Sequence, residues 1–135
     1  MTPLIALTFT ASLLFGGTAA DCGRIRPSVR DEYKGSDAVV IGTVLRAIRV
    51  PVTRDYQDGT TYVVRIDETS KGKPPRQLRL FSENSAARFP MRVGSKYLLF
   101  VDHIDRSAIS NCGNSGLVSQ RRKALATVRT LRQTR

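Results

Sequence analysis

One histidine, two cysteines and no tryptophan are spread over 135 residues. So little imidazole and thiol cannot build an ordinary zinc site belonging to the chain itself, and no metal or other cofactor is expected. Catalytic machinery is equally scarce. His103 stands beside Asp102, with Asp105 close behind, but adjacent residues of a strand point to opposite faces. No serine or cysteine motif accompanies them. His103 is therefore expected at the surface or at a strand end, and a hydrolase-type enzyme using Asp102/His103 is the least supported reading. Gly113-Asn114-Ser115-Gly116 has the look of a phosphate loop, yet no Lys-Ser/Thr pair completes it, so it reads as a turn. Acids are also few: 11 Asp plus Glu stand against 22 Lys plus Arg, a formal net charge of +11. There are no internal repeats and no long low-complexity segment.

Only one long apolar run exists, and it lies at the start of the chain. Residues 3–15 are almost wholly apolar, Gly16-Gly17 ends the run, and Thr18-Ala19-Ala20 follows. The run is short for a membrane span. Small residues at Thr18 and Ala20 suit cleavage after Ala20, so residues 1–20 read as a secretory signal peptide, although no Lys or Arg precedes the apolar run. Processing removes no charged residue and leaves no transmembrane segment. The expected product is a secreted or periplasmic protein starting at Asp21, small enough that its core is modest. In that compartment Cys22 and Cys112 most simply pair. A loop of about ninety residues closed in this way stabilises a fold by about 4–5 kcal/mol in the chain-entropy model. A lipid anchor on Cys22 is the minority alternative, because Asp21 occupies the place where lipoprotein processing wants a small residue.

The remaining pattern is mainly β. Pro27 to Lys34 predicts a short helix, with Val29 and Tyr33 one turn apart and facing the core. Ala38–Val50 is rich in β-branched residues and predicts a strand, with Gly42 marking a bulge or tight bend. Asp58-Gly59 is a turn. In Thr60–Glu68, Tyr62, Val64 and Ile66 share one face and Val63, Arg65 and Asp67 the other. Gln77–Ser82 and the strongly apolar Lys96–Asp102 supply two more strands, and Ser107–Ser110 is read as a short fifth. Leu117 to Arg132 predicts a helix with Val118, Leu125, Val128 and Leu131 on one side. Five strands between two small helices predict a partly closed, OB-like barrel over residues 21–116, followed by a basic helix or tail over residues 117–135.

The order of these pieces resembles the netrin-like domain family, specifically bacterial proteins similar to tissue inhibitors of metalloproteinases (TIMP-like). The matching pieces are Cys22, the helix Ser28–Lys34, Ser36 to Val44, Tyr62-Val63-Val64 leading to Lys71-Gly72, Leu78-Arg79-Leu80, Val93 to Phe100, and the Cys112-Gly113-Asn114 turn. They span roughly residues 22–116. The resemblance implies a five-stranded OB-like barrel with its amino-terminal cysteine anchored to the core. In the animal inhibitors the mature chain begins at cysteine, whose free amine and carbonyl chelate the zinc of a target protease. A neutral amine and a carbonyl oxygen are suitable zinc donors. The resemblance therefore offers Cys22 as a contact to the zinc of a target metalloproteinase. This chain departs from that pattern in having Asp21 ahead of Cys22, which would make the Cys22 nitrogen an amide and a poor ligand.

Charge supplies the other functional signal. Arg121, Arg122, Lys123, Arg129, Arg132 and Arg135 crowd the last fifteen residues, which contain no acid. Such a surface attracts polyanions, with an affinity that falls as salt rises. In an exported protein the expected partners are an anionic polysaccharide, an envelope surface or an acidic protein, and nucleic acid is not expected. Tyr33, Tyr62, Tyr97, Phe81 and Phe100 mostly occupy core-like positions and are not read as a base-stacking platform. Two readings lead: an exported, non-enzymatic TIMP-like interaction module, and a metalloproteinase inhibitor acting through its amino-terminal region.

Overall fold

A computed structural model describes residues 22, 26–51, 58–104 and 109–134. The expected signal peptide, Asp21 and Arg135 lie outside the described residues. Helix α1 (Val29–Gly35) leads into β1 (Ala38–Val50), β2 (Gly59–Lys71), β3 (Gln77–Glu83), β4 (Lys96–Val101) and β5 (Gly116–Leu117). A 3-10 turn (Val118–Gln120) and helix α2 (Arg122–Gln133) complete the order.

Local chemistry sets the ends of α1. Ser28 is its N-cap, accepting from the Asp31 N–H at 3.1 Å, and Asp31 and Glu32 favour the positive end of the helix. Pro27 therefore sits just before the cap rather than inside the first turn. At the other end Lys71 Nζ donates to the carbonyls of Tyr33 and Lys34, at 2.7 and 2.8 Å.

The five strands form one antiparallel sheet in the order β3-β2-β1-β4-β5. Edge strands β3 and β5 are not joined to each other, so the sheet is not closed. The fifth strand is also not where the sequence pattern put it. Ile109 and Ser110 lie outside any strand, Ser107 and Ala108 lie outside the described residues, and β5 is the pair Gly116–Leu117 against Tyr97 and Leu98. The expected helix from Leu117 begins only at Arg122, because Leu117 is spent on β5 and residues 118–120 wind more tightly.

Alternation gives the sheet two apolar faces. On the inner face Ala38, Val40 and Val44 of β1 meet Tyr62 and Val64 of β2, Leu78 and Leu80 of β3, Tyr97, Leu99 and Val101 of β4, and Met91. On the outer face Val39, Ile41, Leu98 and Phe100 are covered by Tyr33 of α1 and by Ala124, Leu125, Val128 and Leu131 of α2. Helix α2 is thus part of the packed fold rather than a tail.

Three irregularities in the β1–β2 ladder decide which side chains reach which face. The pairing steps from Val39↔Lys71 to Val40↔Thr69, from Ile41↔Glu68 to Gly42↔Ile66, and from Val44↔Val64 to Arg46↔Val63. Ser70, Asp67 and Leu45 are the extra residues, and each one turns the strand beyond it by one face. Gly42, read from sequence as a bulge or bend, stands at the second step. A Cβ there would collide with Val64 Cγ1 and come within 3.0 Å of the Arg65 carbonyl.

Candidate functional site

Cys22 and Cys112 form a disulfide across a sequence separation of 90, with their Cα atoms 5.3 Å apart. Beside it, the turn after Cys112 is fastened to α1. Glu32 Oε2 accepts from the Asn114 N–H at 2.7 Å and from Asn114 Nδ2 at 2.6 Å, while Asn114 Nδ2 also donates to the Pro27 carbonyl at 3.0 Å. One residue on, Ser115 Oγ accepts from the buried Phe100 N–H at 2.8 Å. The start of the described chain is therefore fixed to strand β4 by one covalent bond and a chain of hydrogen bonds.

The basic residues near the carboxyl end do not act alike. Arg121 is half-buried, donates from Nε to the Ser115 carbonyl at 3.3 Å, and packs where Gly116 has no Cβ. Arg132 reaches Glu68 Oε1 at 3.3 Å across the sheet edge. Arg122, Lys123 and Arg129 are exposed and, among the described residues, form no ion pair. The first turn of α2 has no acid and no side-chain cap, so Arg122 and Lys123 sit at the positive end of the helix dipole. An open cleft of about 460 Å³ lies there, lined by Val29, Asn114, Gln120, Arg121, Arg122 and Lys123.

The outer face of the sheet carries a second group of cations that linear reading did not assemble. Strand register places Lys96, Thr43, Arg65 and Gln77 in one row, Arg46, Val63 and Arg79 in the next, and Ile48, Thr61 and Phe81 in the third. All share the face that α1 and α2 cover lower down. Arg46, Arg65, Arg79 and Lys96 are exposed, and Val63 between Arg46 and Arg79 is buried although it belongs to neither core cluster. Arg65 is held by Asp67, Nε to Oδ1 at 2.9 Å. Thr43 Oγ1 donates to Asp67 Oδ2 at 2.5 Å. That hydroxyl outweighs the opposing effect of burial and, with Arg65 and Lys96 adding to it, holds the Asp67 carboxyl below its ordinary range. Phe81 departs from the core-like placement read from sequence: it is 40% exposed, with Ile48 at 38% beside the same row. Its ring tip rests on Gly59, where a Cβ would meet Cζ and Cε2 at 2.5 and 2.6 Å. Tyr33, Tyr62, Tyr97 and Phe100 are buried as expected.

His103 is exposed just beyond β4, with a positive φ of 53°. A further cleft of about 360 Å³, lined by Arg49, Asp58, Thr60, Ser82, Glu83 and Arg88, contains neither histidine nor cysteine. Among the described residues, no three His, Cys, Asp or Glu side chains gather into a metal site, and no helix is long and apolar enough to cross a membrane. No family model matches the chain, and no curated protein matches it.

Proposed function

We infer that this chain is an exported, non-enzymatic interaction module of TIMP-like build that binds a polyanionic partner of the cell envelope through the basic surface of α2. The observation that carries this reading is the exposed, acid-free set Arg122, Lys123 and Arg129, unpaired among the described residues on a helix rigidly packed against the sheet. A disulfide supports an oxidising compartment. The order β3-β2-β1-β4-β5 supports the OB-like assignment, since joining β3 to β5 would close five strands into a ring. Retention on an anionic matrix tests the binding reading. Elution of the processed protein should shift to lower salt in the triple variant Arg122→Gln/Lys123→Gln/Arg129→Gln, and salt-insensitive retention that ignores these changes would defeat it.

A second reading, inhibition of a metalloproteinase, draws support from the disulfide, which fastens Cys22 beside the Cys112–Asn114 turn. Amino-terminal sequencing of the exported protein bears on it directly. A start at Cys22 supplies a free amine for a target zinc, and a start at Asp21 removes that donor. Inhibition assays against metalloproteinases then decide it.

A further inference from the structure

The uncovered part of the outer sheet face pairs cations with recessed apolar surface. Neighbouring strands lie about 4.8 Å apart, so Arg46 and Arg79, separated by Val63, stand about 10 Å apart across the sheet. Phe81 lies two residues along β3 from Arg79, about 7 Å away and on the same face. Among the described residues Arg46 and Arg79 have no acidic partner, while Arg65 has Asp67. Burial of Val63 between two exposed arginines fits guanidinium heads held outward over apolar stems. Gly59 lets the Phe81 ring lie down on the sheet instead of projecting from it.

We propose that Arg46, Arg79 and Phe81 form a binding site for an anionic polysaccharide, with the guanidinium groups engaging its carboxylate or sulfate groups and the Phe81 ring meeting the apolar face of a sugar ring. Charge complementarity sets the sign of the ligand: the three rows hold the four cations Arg46, Arg65, Arg79 and Lys96, against two neighbouring acids, the bulged Asp67 paired with Arg65 and Glu83 in the row beyond Phe81. Planar guanidinium suits planar carboxylate bidentately. The recessed apolar groups select among anionic ligands. Binding to a bilayer requires apolar side chains that enter the headgroup region by about 5–10 Å, and Ile48 and Phe81 are less than half exposed within a sheet face. Single-stranded nucleic acid binding relies on successive stacked aromatics, and these rows contain one.

This site rests on the polyanion reading above but uses different residues, so the two can fail separately. Titration of the full processed chain with alginate oligomers, followed by NMR and calorimetry, tests it. Arg46→Gln/Arg79→Gln should weaken alginate binding about tenfold or more, as expected for loss of two charge-assisted contacts. Phe81→Leu, which keeps an apolar group over Gly59, should weaken it about threefold, the loss of roughly half a tenfold step. Both effects should remain in the α2 triple variant. Loss of alginate binding in the α2 variant alone, with the sheet variants unchanged, overturns the site and leaves the α2 reading intact. Sheet variants that lose binding to phosphatidylglycerol vesicles but keep alginate also overturn it. Alginate binding unaffected by either set defeats both readings.

Discussion

Glu32 holds Asn114 at two points, the backbone N–H and the side-chain amide, both on the same carboxylate oxygen. A seven-residue helix is thereby tied to the turn that contains the disulfide. The fit is close: a Cβ on Gly113 would overlap Glu32 Oε1.

Glu32→Ala leaves both Asn114 donors without this acceptor and should cost about 1–3 kcal/mol. Glu32→Gln keeps an acceptor oxygen and should cost less. Urea unfolding of the three proteins under oxidising conditions measures the order, and equal stability of Glu32→Ala and the parent would show that the contact is absent in solution.

Cys112→Ser should destabilise the fold by about 2–5 kcal/mol, the usual effect of removing a native disulfide from a small secreted domain. A melting temperature unchanged by reductant would contradict the pairing. Because Glu32 and Cys112 secure the same junction, the combined variant should depart from additivity.

Gly42→Val is expected to be worse than an ordinary glycine replacement in a strand. It would force Val64 and the Arg65 carbonyl away at the point where the ladder already steps, at a cost of about 1–3 kcal/mol. Thermal unfolding checks this, with Gly35→Val, where an added Cβ meets nothing within 4 Å, as the comparison.

How far the sequence reveals this molecule depends on the range of the interaction involved. The bounds of β1 match the expected run because its β-branched residues are continuous and Pro51 follows. Strand β4 and the buried side of α2 are equally plain in their apolar spacing. Strand β2 runs on to Lys71 where the pattern was expected to stop at Glu68, since Asp67 and Ser70 are bulged and scramble the period-two signal. β5 offers no such signal: two residues after a glycine-rich turn become a strand only because Tyr97 and Leu98 pair with them. The same holds for function. The cluster Arg121 to Arg132 is visible by counting along the chain. Arg46 and Arg79 are far apart in sequence and meet only through the register of three strands.

Acid should expose the role of Asp67. Its folded pKa lies below that of the unfolded chain, held down first by Thr43 and then by Arg65 and Lys96. The ionised group therefore favours folding above the ordinary aspartate range, about pH 3.9, and that contribution disappears as pH falls from there through the lowered folded value. Asp67→Asn should remove this segment of the acid-unfolding profile while leaving the profile near neutrality parallel to the parent. An unchanged acid limb in the variant would separate Asp67 from the effect. The same variant frees Arg65 from its partner and should raise retention on an anionic matrix.

The extra residue Leu45 has a consequence for how this protein tolerates change. It divides β1 into two lengths of opposite polarity, one directing Val44 inward and the other directing Arg46 and Ile48 outward. Substituting Leu45 alters one side chain. Deleting it would do no more to the facing: Arg46↔Val63 would follow Val44↔Val64 directly, Arg46 and Ile48 would still point outward, and the strand would lose its local kink while the outer rows kept every member.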